Sequence, residues 1–277
     1  MTFPIHVRAP ATSANLGSGF DCAGLALDLW NELEVTEGDG GPGLEHLGVR
    51  AFARLADPTG LRFTFTDRIP RARGLGSSAA VTALGLVAAA LVNGDDPDPE
   101  ALLAEGIELE GHGDNLAPAL AGGVCLTWRM RIARIADAAP AAAIALVPEV
   151  EVDTHASRAA LPASVPHADA AFSAGRSALL GAALASGSEE LFAAALDDRL
   201  HEPYRSPFLD EVRAALPEGA LGATLSGSGP TVIVWTREHA ADDAARELGA
   251  RYADLEVVRL APSPAGACTI HAAKGAR

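Results

Sequence analysis

A chain of 277 residues, 49% of them hydrophobic, can bury a large core, and its length suits two moderate domains, divided here at residues 1–150 and 151–277. A formal net charge of −15 argues against nucleic acid or an anionic membrane surface as the main partner, so any anionic substrate must be met by local positive charge. The only lysine is Lys274, which excludes a G-x-x-x-x-G-K-[ST] loop, a protein-kinase strand lysine and an internal Schiff base.

Residues 5–9 read as a short strand that runs into a polar loop, 10–21, with the sequence Pro-Ala-Thr-Ser-Ala-Asn-Leu-Gly-Ser-Gly-Phe-Asp. A second strand, 25–35, places Leu27, Leu29, Leu33 and Val35 at period two. On spacing alone Asn15 and Asp21 are ordinary turn residues. A glycine-rich turn at 37–43, a short helix at 46–56 and an alternating strand at 61–66 follow.

The stretch Arg73-Gly74-Leu75-Gly76-Ser77-Ser78-Ala79-Ala80 has the makings of a phosphate site. Gly74 and Gly76 lack a Cβ, so the backbone can take positive φ and approach an anion closely. Ser77 and Ser78 stand where the apolar helix 79–92 begins, able to cap it and to offer a hydroxyl to a hard metal. The free N–H groups and positive dipole end of that helix then face the loop. Gly74 to Ala79 formally satisfies the dinucleotide fingerprint, but Pro70 interrupts the approach and no acid ends a following strand about twenty residues on.

A helix is expected over 99–110, stopped by Gly111. Then Glu110-Gly111-His112-Gly113-Asp114-Asn115 crowds polar groups between glycines. His112 has no second histidine at ligand spacing, so the acids are the better candidates for a hard cation. Strands are expected at 124–128 and 143–147. Beyond Pro148, helices at 169–185 and 189–198, a strand–glycine turn–strand unit at 221–235, a helix at 238–248 and strands at 255–260 and 268–271 make a compact α+β unit. In the first of these helices Arg176 shares the apolar face of Phe172, Leu179, Leu180 and Ala183. A guanidinium held there needs an anion, either a substrate or a protein carboxylate such as Asp197 or Asp198. Cys22, Cys125 and Cys268 are odd in number and far apart, suggesting neither disulfides nor a C-x-x-C site. With no signal peptide or membrane span legible, the chain reads as cytoplasmic.

Three loops in this order, 10–21, 70–80 and 226–230, resemble the motifs of the small-molecule kinases named after galactokinase, homoserine kinase, mevalonate kinase and phosphomevalonate kinase. The long patterns Pro-Ala-Thr-Ser-Ala-Asn-Leu-Gly-x-Gly-Phe-Asp and Glu-Gly-His-x-Asp-Asn-x-Ala-Pro-Ala look like the homoserine kinase family in particular. The resemblance implies an α+β fold with a ribosomal-protein-S5-like N-terminal domain, a ferredoxin-like C-terminal domain and the active site between them. It implies ATP and Mg²⁺, phosphorylation of homoserine in threonine biosynthesis, and a homodimer as a possible assembly. By it, Asn15, Asp21 and His112 would hold the acceptor, and Arg176 and Arg205 would clamp its carboxylate. Arg73, Gly74, Leu75, Gly76, Ser77 and Ser78 would cradle the phosphates, with Gly227 and Gly229 bringing in the third loop. A serine of the Ser77/Ser78 pair and Glu110 would hold the metal, with Glu105 and Glu108 as rivals. Asn15 and Asp21 would orient the hydroxyl; Asp114 falls near the aspartate that related kinases use as a base, whereas homoserine kinases have Asn115 at the corresponding position, so Asp114 is expected mainly to shape its loop. Ser18 stands where the family usually has proline, and Ser173 where it often has asparagine.

Overall fold

The computed structural model describes residues 3–270, so His271, the expected end of the last strand, and Lys274 lie outside the described residues. In chain order the elements are β1 (Ile5–Ala14), β2 (Ala23–Glu37), α1 (Leu47–Phe52), β3 (Leu61–Thr66), α2 (Ser77–Asn93), α3 (Pro99–Glu110) and α4 (Leu116–Ala121). There follow β4 (Val124–Trp128), β5 (Arg131–Ala136), β6 (Ala142–Val147), α5 (Thr154–Ala159), α6 (His167–Ser186) and α7 (Glu189–Ala195). The rest is α8 (Pro207–Ala214), β7 (Ala220–Leu225), β8 (Val232–Thr236), α9 (Ala241–Arg251), β9 (Glu256–Leu260) and β10 (Cys268–Thr269).

Two antiparallel sheets organise these elements into an α+β fold. The first has the order β10-β1-β2-β4-β5, with β3 also paired to β2, and the second has the order β7-β8-β6-β9. The sheets do not divide at residue 150. β6, which precedes that point, lies in the second sheet, and β10, expected in the C-terminal unit, pairs with β1 through Val7–Thr269 and Arg8–Cys268. β6 is buried on both faces, which is why it reads as an unbroken apolar run. Ala143, Ala145 and Val147 join the core that contains α2 and β1, while Ile144 and Leu146 pack with Leu209, Val212 and Leu248 on the other face.

The segment leading to β10 returns across the first sheet. Ala261 O accepts from Asp28 N (2.8 Å), Ser263 bonds Ala26 and Gly123 through its backbone (2.8 Å each), and Ala267 N donates to Ala119 O (2.7 Å).

Helix α2 is apolar around its whole circumference and buried along most of its length, as a central helix must be. The expected serine cap is corrected. Gly76, at φ 66°, is the cap residue, Ser77 and Ser78 are already helical, and no side chain caps the end. α3 begins and ends as expected, with Asp98 accepting from Glu100 N, Pro99 in the first turn and Gly111 in the left-handed region at its end. No helix among the described residues is long and apolar enough to cross a membrane.

Candidate active site

The three loops are stitched together by their backbones. Thr12 N donates to Leu75 O (3.1 Å), Gly227 N to Ala14 O (3.2 Å) and Thr231 N to Arg73 O (3.3 Å). The Ser226 hydroxyl, fully buried, lies 2.6 Å from Gly74 O and 2.9 Å from Ser13 Oγ. Gly74 takes φ 79°, and a Cβ on it would stand 2.4 Å from Ser226 O and 2.9 Å from Gly229 O. A side chain there would push the second and third loops apart.

Along this seam lies a cavity of about 640 Å³, into which α2 presents its N-terminus. The N–H groups of a first helical turn have no intrahelical acceptor and favour an anion. Arg50, Arg73, Arg158 and Arg205 also line the cavity and place four guanidinium groups around it in a strongly acidic protein. Of the residues expected at the site, Asn15, Asp21, Arg73, Gly74, Gly76, Ser77, Ser78, Glu110, His112, Asp114, Asn115, Arg205 and Gly227 line it. Leu75 turns into the core, and Gly229 lies behind Gly74 rather than on the wall.

Beside the phosphate loop, Ser78 Oγ sits 2.9 Å from both carboxylate oxygens of Glu110, and the Thr82 hydroxyl donates to Oε1 at 2.5 Å. Glu105 is paired with Arg54 (2.8 Å) and Glu108 is exposed; neither reaches the cavity. Among the described residues no group of three or more acidic, histidine or cysteine side chains is arranged to hold a metal ion by itself.

Asn15, 2% exposed with φ 71°, donates from Nδ2 to Gly227 O (2.9 Å) and accepts Asp21 N–H at Oδ1 (3.0 Å). The Asn115 carbonyl oxygen accepts from Thr12 Oγ1 (2.8 Å), which leaves the amide nitrogen toward Gly227. Asp21 is held by Arg158 through two bonds of 2.7 and 2.8 Å, and Asp21 in turn raises the pKa of Arg158. Burial, and then Arg158, lower that of Arg205. Arg158, Thr12 and Thr82 were not singled out by sequence reasoning. Thr12 stood inside a motif that was read, but Arg158 lies in a six-residue helix with no apolar stripe to reveal it.

The expected cavity position of Arg176 is corrected. It does not line the cavity; its Nη1 donates to Ala194 O (2.7 Å) and its guanidinium lies 4.8 Å from the Phe172 ring centre. The partner is a helix-end carbonyl and an aromatic face, not a carboxylate. Ser173, buried, bonds Asp198 Oδ1 at 3.2 Å.

Asp114 is 5% exposed, accepts Asn115 N–H at 3.0 Å and lies 3.2 Å from His112 Nδ1. Its side chain holds the His112 pKa above 6.5 despite burial. This raised value adds stability that is complete below about pH 6.5 and fades as pH rises through the folded-state pKa of His112. Asp114→Asn should therefore lower the His112 pKa in an NMR titration of its ring protons. An unmoved titration would show that the two side chains are not coupled.

The chain matches the GHMP kinases N terminal domain over residues 46–123 and the GHMP kinases C terminal domain over residues 168–254. Two stitched glycine loops, a buried helix presenting its N-terminus to a cavity, and a ferredoxin-like second sheet are the structure of a GHMP-type small-molecule kinase. The homoserine kinase of Streptomyces avermitilis is 40% identical, with 90% of this chain and 91% of that protein covered. That of Streptomyces coelicolor is 40% identical over 86% of each. A crystal structure of homoserine kinase from Cytophaga hutchinsonii superposes with a TM-score of 0.85 at 28% identity, covering 98% of both chains. The chain belongs to the homoserine kinase family, and it is a kinase with ATP as co-substrate.

Proposed function

We propose that this protein transfers the γ-phosphoryl group of ATP to the side-chain hydroxyl of L-homoserine, releasing ADP and O-phospho-L-homoserine on the route to threonine. The observation that carries this reading is a single cavity lined both by a phosphate loop and by Asp21, Arg158 and Arg205. A zwitterionic amino acid needs an anion for its ammonium group and a planar fork of donors for its carboxylate. Asp21 meets the first need; Arg205, with the N–H groups of Arg158 that Asp21 leaves free, meets the second. Arg158 thus takes the role that the sequence reading gave to Arg176.

The loop from Arg73 to Ser78 and the first turn of α2 receive the phosphates through backbone N–H groups, with Arg73 adding charge. Ser78 and Glu110 offer hard oxygen donors on the cavity wall, with Thr82 behind them holding the carboxylate, which fits magnesium, a cation commonly held by one or two carboxylates together with substrate phosphates. When bound, Mg²⁺ neutralises charge on the phosphate oxygens. Asn15 and Asp21 orient the acceptor hydroxyl and Asn115 sits beside it, fixed by Thr12. Phosphoryl transfer passes through a loose transition state, so the hydroxyl need not lose its proton early and positioning carries much of the rate. Asp114, already engaged by His112 and Asn115, keeps the loop in shape.

The test is metal-dependent ADP release with a panel of acceptors: homoserine, serine, threonine, mevalonate and galactose. Homoserine should give the highest kcat/KM. Better turnover of another alcohol would reassign the substrate, and no ADP release with any acceptor would point to a nucleotide-binding sensor.

A further inference from the structure

His201 is fully buried, sits outside the cavity wall, and touches both halves of the acceptor pocket. Its Nδ1 lies 3.2 Å from Arg205 Nη1, and its Nε2 lies 2.9 Å from Gly17 O in the loop that carries Asn15 and Asp21. Guanidinium nitrogens only donate, so Nδ1 must accept; the ring is then neutral, with its proton on Nε2 and donated to Gly17. Burial also lowers the His201 pKa, in keeping with a neutral ring.

The ring cannot swing. Asp198 accepts the N–H groups of Leu200, His201 and Glu202 at 2.9, 2.7 and 3.1 Å. Glu202, also buried, accepts Leu225 N–H (2.8 Å) and Arg213 (2.6 Å). Phe20 stacks on the imidazole with centres 4.7 Å apart and lies 5.2 Å from the Arg205 guanidinium carbon. The loop is seated on the same support: a Cβ on Gly17 would come within 2.3 Å of Leu196 O, and the Ser177 hydroxyl donates to Ser18 O at 2.5 Å. Arg205 Nε is buried with no hydrogen-bond partner among the described residues, so His201 is the group that aims this guanidinium.

We propose that His201 is a positioning residue that ties the acceptor loop to Arg205, so that the ammonium and carboxylate subsites are set at one fixed separation. This rests on the reading of that loop and Arg205 as the amino-acid site. Homoserine would be read by its length as well as its charges, because neither subsite can shift without the other.

Two amide variants separate the two ring nitrogens. His201→Gln can place a donor near Gly17 O but no acceptor near Arg205, and should raise the homoserine KM by about tenfold or more, the worth of one hydrogen bond to a charged group. His201→Asn can keep an acceptor for Arg205 but drops Gly17, and should lower kcat as Asn15 and Asp21 lose their place. ATP KM should stay nearly constant in both. Folded variants with unchanged homoserine KM and kcat, or with ATP KM displaced equally, would overturn the proposal. If neither variant folds, ¹⁵N NMR of the wild-type ring decides: the neutral Nε2–H form is expected, and an Nδ1–H form or an imidazolium would refute the linkage. The ring tautomer does not depend on which alcohol is phosphorylated, so a failed homoserine assay and a failed linkage are told apart.

Discussion

Replacing Glu110 by alanine is expected to lower kcat with Mg-ATP by roughly 10² to 10³-fold, the usual cost of removing one preorganised group that stabilises transition-state charge. Among the described residues the carboxylate is the only acidic group held by Ser78 and Thr82, and those hydroxyls can bond water once it is gone, so the fold should survive. Glu105→Ala and Glu108→Ala are the controls. The first loses a surface pair with Arg54, worth at most about 1 kcal/mol, and the second loses an exposed side chain. Mn²⁺ binding followed by electron paramagnetic resonance, with a non-hydrolysable ATP analogue present, should weaken in Glu110→Ala alone. Loss of metal binding in either control would move the metal site elsewhere on α3.

The second large effect separates two arginines. Arg158→Lys should raise the homoserine KM by roughly 10- to 100-fold, since an ammonium cannot hold Asp21 through two parallel bonds and also reach the substrate carboxylate. The lower part of that range is the better guide, because the Arg158 side chain is 44% exposed and partly screened. Arg176→Lys should leave homoserine KM unchanged and lower the melting temperature modestly, as befits a side chain serving Ala194 O and the Phe172 ring. The opposite pattern would return the carboxylate clamp to Arg176.

The contrast between those arginines shows what could be read from sequence. Arg176 sits in a 20-residue helix with a visible apolar stripe, so its unusual placement was legible while its partner was not. Arg158 meets Asp21 from 137 residues away, in a short helix bracketed by prolines, and nothing local marks it. The same logic holds for the fold. α3 was legible to the residue because Asp98, Pro99 and Gly111 are local punctuation. β5 is not legible because an edge strand carrying Arg131 and Arg134 has little apolar pattern, and α8 because eight residues, about two turns, leave its stripe of Leu209 and Val212 little room to show. The loop starts later than residue 10: β1 runs on to Ala14, since its last six residues are all buried and an unbroken buried run shows no alternation. Of the site, the glycine loop and the polar run 110–115 were legible because their chemistry is local, whereas Thr12 and His201 act through contacts with residues more than 100 positions away.

The return of the last described strand to the edge of β1 bears on how the protein is made. Ribosomes add roughly 5–20 residues per second, so some 10 to 50 seconds separate the emergence of β1 from that of β10. Throughout that interval one edge of the first sheet has its N–H and C=O groups open to any passing strand. A nascent chain stalled before residue 261 would hold the complete phosphate loop yet lack the lacing over Ala26, Asp28 and Gly123, which makes it a natural client for chaperones that shield unpaired strands.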